Sequence, residues 1–96
     1  MTDAEVEQLL ASLVERLASI EHDRWSHWQR YLHSKCAAHP DGTLTIPKEL
    51  VAQWARQSTT PYEELSDAEK NSDREQVQKY LPIIGNALRA RPQSEF

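Results

Sequence analysis

The stretch Pro61-Tyr62-Glu63-Glu64-Leu65-Ser66-Asp67-Ala68-Glu69-Lys70-Asn71-Ser72-Asp73-Arg74 decides how the second half of this chain folds. Pro61 fixes its own φ and biases Thr60 toward extended backbone, so a preceding helix must stop there. Tyr62 and Leu65 are its only large apolar side chains. Ser66 and Glu69 stand in the S-x-x-E relation, in which hydroxyl and carboxylate each satisfy a backbone N–H of the first turn. A helix is therefore expected to begin at Ser66. Ser72 and Glu75 repeat the spacing and allow a second start there. Lys70 is within helical reach of Asp73 and Arg74.

Upstream, Thr2 or Asp3 can cap a first helix whose Glu5 and Glu7 suit its positive end. Val6, Leu9, Leu10, Leu13, Leu17 and Ile20 recur at three- and four-residue intervals, the mark of an amphipathic helix. No Pro or Gly occurs before Pro40, so this helix can run to about Lys35. In its second half the repeating set becomes Glu21, Trp25, Trp28 and Leu32, flanked by Arg24 and Tyr31. His39-Pro40-Asp41-Gly42 reads as a turn. Thr43-Leu44-Thr45-Ile46 has strand character but no evident partner, and it is read as an extended lead-in. Pro47 suits the first turn of a helix reaching about Gln57, with Ile46, Leu50, Val51 and Trp54 as its apolar stripe. The last helix should reach Ala90, with Val77, Leu81, Ile84 and Leu88 facing a core and Pro82 kinking it. Residues 91–96 read as a loose tail. The expected fold is all-α: one domain over 1–96, three or four helices, a long N-terminal helix and a Pro-kinked C-terminal one.

Composition narrows the function classes. Fifteen acidic and eleven basic side chains give a formal charge of -4, which argues against binding a nucleic acid polymer. One cysteine, Cys36, forms no internal disulfide and fits a reducing compartment. No apolar run approaches a membrane span, and the acidic start is no signal peptide, so a cytoplasmic protein is the expectation. His33, Cys36 and His39, with His22 upstream, carry ligand chemistry without the four-ligand spacing of a structural zinc site. The only glycines are Gly42 and Gly85, so no phosphate-cradling loop exists. Cys36 and His33 lack an orienting group or oxyanion site. Neither an enzyme nor a bound cofactor is expected.

Two motifs together resemble a known family. Glu21-His22-Asp23-Arg24-Trp25, followed by Pro61-Tyr62-Glu63-Glu64-Leu65, Glu69-Lys70 and Asp73-Arg74, is similar to the ryanodine receptor repeat (RyR) domain. Trp28, Trp54-Ala55-Arg56-Gln57 and Thr60-Pro61-Tyr62 fit its small stand-alone bacterial and phage versions. The resemblance covers about residues 17–85. The receptor repeats carry a Gly-rich extended middle, whereas this chain has Ile46-Pro47 leading into a helix, so that part is not carried over. The resemblance implies a module that contacts neighbouring domains and is associated with nucleotide binding. It also implies a bacterial cytoplasm, or a host's if the chain is phage-encoded.

The charges between the motifs admit two roles. Glu21, Arg24, Asp73 and Arg74 can form a half-buried network that fixes helix packing. They can also border a site for a small nucleotide-like anion, with Trp25, Trp28 and Tyr62 as stacking faces. Tryptophans in a small helical domain serve more often as core. A further expectation is a homodimer through the N-terminal helix, whose Val6, Leu10, Leu13, Leu17 and Ile20 approach a heptad seam widened by Leu9 and Val14.

Overall fold

The computed structural model describes residues 1–90. The tail expected over 91–96 lies outside them. Three helices dominate: α1 (Asp3–Lys35), α2 (Lys48–Thr59) and α3 (Asp67–Ala90). The fold is mostly helical but not purely so, because Ala37–Ala38 (β1) and Leu44–Thr45 (β2) form a two-stranded antiparallel sheet.

Helices α1 and α3 start where side-chain chemistry can satisfy their first N–H groups. Thr2 Oγ1 accepts from Glu5 N at 3.1 Å, while Thr2 N donates to Glu5 Oε1 at 3.0 Å. The same reciprocal box opens α3: Glu69 N donates to Ser66 Oγ at 3.2 Å, and Ser66 N to Glu69 Oε1 at 3.1 Å. Ser72, the alternative start, lies inside α3. Pro47 is not the first helical residue. It sits at the cap position with φ −58° and ψ 143°, and its carbonyl accepts from Leu50 and Val51. Thr60 ends α2 in an extended conformation, as the proline after it requires. A 3₁₀ turn over Tyr62–Glu64 then leads to Ser66. The last helix runs through Pro82 without ending there.

The sheet corrects the lead-in reading of residues 43–46. Their partner is the two-alanine strand, invisible to pattern because it carries no β-branched or aromatic residue. Ala37 pairs with Thr45 and Ala38 with Leu44. Inside the turn, Gly42 N donates to the His39 carbonyl and His39 N to the Thr43 carbonyl, each at 3.0 Å. Asp41 Oδ1 accepts from Thr43 Oγ1 at 2.7 Å and Thr43 N at 3.0 Å, and these bonds hold its carboxyl below the usual value. Gly42 has φ +89° with open space where a Cβ would stand. Gly42→Ala should therefore cost about 1 kcal/mol through backbone strain alone. Asn at the same position should recover part of that loss, and chemical denaturation of the two variants would check both.

The chain divides into two compact units. One joins Met1–Arg24 to the C-terminal stretch beginning at Arg74; the other is Trp25–Asp73. In the first, α1 and α3 run antiparallel, with Glu21 bonded to Tyr80 and residues 5–16 beside residues 86–90. Their meeting faces carry Leu9, Leu13, Leu17 and Ile20 on α1 and Tyr80, Ile83, Ile84 and Ala87 on α3. Only Leu13 (4% exposed) and Ala87 (7%) are buried among the described residues. This corrects the expected core face of α3: Val77, Leu81 and Leu88 are about half exposed, and only Ile84 of that set turns inward. In the second unit, Leu32, Leu50, Trp54 and Leu65 are half-buried, while Ile46 and Val51, expected in the α2 stripe, are exposed.

Candidate functional site

The expected site residues fall into both units. Glu21, Arg24 and Arg74 belong to the first; Trp25, Trp28, Tyr62 and Asp73 belong to the second. Glu21 and Arg24 meet one turn apart on α1, with Arg24 Nη2 at 2.7 Å and Nε at 3.2 Å from Glu21 Oε2. The other carboxylate oxygen, Oε1, accepts the Tyr80 hydroxyl from α3. Glu21 thus has both oxygens engaged and ties the two helices of its unit together. Tyr80 was missed at the sequence level, since a tyrosine among apolar residues gives no sign that its hydroxyl has a carboxylate partner.

The half-buried network expected around these charges is not what the structure contains. Glu21 and Arg24 side chains are 50% and 48% exposed, and Asp73 and Arg74 are exposed on α3. In water, attraction between such charges is weak. Lys70 places its ammonium 5.7 Å from the centre of the Tyr62 ring.

The tryptophans depart from the core reading as well. Trp25 is 56% and Trp28 41% exposed, whereas Trp54 is half-buried. Trp28 stacks on Tyr31 at 5.6 Å and meets Trp54 edge-on at 5.3 Å. Lys35 lies over the other ring of this row, Tyr31, at 5.5 Å.

The tightest polar cluster was only half visible in the sequence. Glu69, read as a capping residue, also accepts Arg56 Nη2 at 2.9 Å and Gln57 Nε2 at 2.6 Å from α2. The Ser66 hydroxyl adds a bond at 2.8 Å. First Arg56, then Gln57 and Ser66, hold the carboxyl down from 4.5 to about 2. A depressed carboxylate stabilises the fold fully above pH 4.5, and that contribution fades as pH falls through about 2. Glu69→Gln should accordingly lower the urea midpoint at neutral pH and flatten its fall across this acid window. A wild-type midpoint that changes no more steeply than the variant's there would count against the cluster.

Elsewhere, the Cys36 thiol donates to the Leu32 carbonyl at 3.2 Å, and a His39 ring nitrogen bonds Thr45 Oγ1 at 2.7 Å. Among the described residues, no group of three or more His, Cys, Asp or Glu could hold a metal ion. No described helix is long and apolar enough to cross a membrane.

Two surfaces of the first unit stand out. Relative to the buried Leu13, a pitch of ~100° per residue puts Val6, Leu10 and Val14 at about 20°, 60° and 100° around α1. Relative to Ala87, the same pitch puts Val77, Leu88 and Leu81 at about 80°, 100° and 120° around α3. In antiparallel helices, equal rotations away from the contact lead to the same side. The two rows therefore share one face. On it Leu10 and Val14 are each 58% exposed, Val77 50%, Leu81 48% and Leu88 46%. No charged residue shares that side between Val77 and Leu88; on α1, Glu7, at about 120°, borders it. On the opposite side a groove of about 590 Å³ runs between the helices over Leu9 and Ala87.

Comparison with protein-family models, curated proteins and solved structures finds no match to this chain.

Proposed function

We propose that the chain is a non-catalytic interaction module that assembles with a second copy of itself through the apolar face of α1 and α3. The observation that carries this reading is that face: Leu10, Val14, Val77, Leu81 and Leu88, each about half exposed, on one side of one helix pair. With Val6, these side chains leave on the order of 500 Å² of apolar surface, about the nonpolar share each partner contributes to a standard interface. A monomer would expose that face to water at a hydrophobic cost that pairing removes. A second copy fits because the face is mainly apolar, bordered by Glu7, and built from two antiparallel helices, so that two copies can close into a four-helix arrangement with a two-fold axis.

The ryanodine receptor repeat resemblance accords with a contact-making module of this kind. The competing reading is a nucleotide-like anion held at Glu21, Arg24, Trp25, Trp28, Tyr62, Asp73 and Arg74. It has the exposed Trp25 and Trp28 in its favour. Against it, Glu21 has one oxygen taken by Arg24 and the other by Tyr80. Sedimentation equilibrium of the wild-type chain should give a dimer mass at micromolar concentration. A monomer persisting to high micromolar concentration would rule the proposal out.

A further inference from the structure

The groove on the other side of the α1–α3 pair is a second, independent feature. It persists because the facing side chains are small. Ser12 on α1 and Ala87 and Ala90 on α3 leave unfilled the space that larger residues would occupy in a purely structural contact. Its volume, about 590 Å³, falls in the range of small-molecule sites. Leu9 and Ala87 supply an apolar floor.

The two ends of the groove differ in charge. Glu5 lies at one end, with its carboxylate accepting the Thr2 N–H of the helix cap. Arg16 lies at the other, eleven residues or about 16 Å along the helix. Among the described residues the Arg16 guanidinium makes one hydrogen bond, a long one of 3.5 Å to the Ser12 carbonyl. Most of its five N–H donors therefore remain available in a planar fork that suits a carboxylate. Asn86, beside it in the lining, has its carbonyl oxygen occupied by Arg89 at 2.5 Å, which turns its amide N–H₂ to the role of donor.

We infer that this groove binds a medium-chain amphipathic carboxylate, with its head group on Arg16 and Asn86 and its aliphatic chain along Leu9 and Ala87 toward Glu5. The apolar length suits an extended chain of about ten to twelve carbons, given the ~16 Å between the charged ends. A cationic head group would meet Arg16, and an uncharged one would forgo the charge-assisted bonds.

Isothermal titration calorimetry with decanoate, kept below its micelle concentration, tests this. Saturable binding of one decanoate per chain is expected. Decanol and decyltrimethylammonium should bind at least about tenfold more weakly. Arg16→Gln should weaken decanoate binding by about tenfold or more. Ser12→Leu, which fills the groove from an exposed position, should abolish it. Helical circular dichroism checks that both variants fold. Leu10→Glu with Leu81→Glu, on the opposite face, should leave decanoate binding within about twofold of wild type, so failure of the dimer and failure of the groove are told apart. The inference is overturned if decanoate gives no saturable heat, if the three head groups bind alike, or if folded Arg16→Gln binds as tightly as wild type.

Discussion

Leu10→Glu combined with Leu81→Glu should convert a dimer into a monomer that keeps its helical content. Leu10 is 58% and Leu81 48% exposed, so neither supports much of the fold within its own chain. Substitutions at such positions normally change monomer stability by within about 0.5 kcal/mol. At the interface the outcome is different. Two carboxylates per chain, four per dimer, would be taken from water into an apolar contact without partners. Even a few kcal/mol of that penalty weakens association by about a thousandfold or more. Analytical ultracentrifugation should show the mass halve at concentrations where wild type is fully paired. Gln53→Glu with Ser58→Glu adds the same charge on exposed positions of α2 and should leave the dimer intact. If both pairs of substitutions act alike, net charge and not the apolar face governs assembly. Leu13, which the heptad reading placed in the same seam, is unsuitable for this test because it is buried in its own chain.

Leu13 gives the second large effect. At 4% exposure it is the one large side chain buried among the described residues, on the face of α1 turned to α3. Leu13→Ala removes its buried methyl groups and leaves a cavity, at a cost of about 2–4 kcal/mol. A core this small has little in reserve, so that loss is a large share of total stability. Leu10→Ala, one turn earlier and mostly exposed, should cost under about 1 kcal/mol in the monomer. Because dimerisation adds to apparent stability, both variants should be compared in the monomeric Leu81→Glu background or at matched concentration. Urea denaturation showing equal midpoint shifts for the two would mean that α1 is rotated from the packing described. If Leu13→Ala is too unstable to purify, Leu13→Val, which removes one methylene, gives the same comparison at about 1 kcal/mol.

Much of the local structure was legible in the residues themselves. Thr2 or Asp3, followed by Glu5 and Glu7, marked the start of α1, and Ser66 with Glu69 that of α3, because capping depends on groups within one turn; that Thr2 and Glu5 close a reciprocal box came from the structure. The absence of Pro and Gly before Pro40 carried α1 to Lys35, and Thr60-Pro61 ended α2. The turn at residues 39–42 followed from Pro40, Asp41 and Gly42. Each of these depends on interactions within a few residues of chain.

What the tertiary structure decided was orientation and partnership. Periodicity shows that a helix has an apolar face but cannot show which part of a broad face meets a neighbour. Val77, Leu81 and Leu88 repeat as regularly as a core would, yet Tyr80, Ile83 and Ala87 take the contact with α1. Pattern also could not pair two alanines with Leu44-Thr45, bring Tyr80 to Glu21, or gather Arg56 and Gln57 onto Glu69. Those residues lie far apart in sequence, and a hydrogen bond at that separation exists only once the chain between has folded. The same rotation of α3 about its axis that buries Ala87 leaves one apolar face uncovered and opens a groove on the other side, and the proposed functions of both surfaces rest on it.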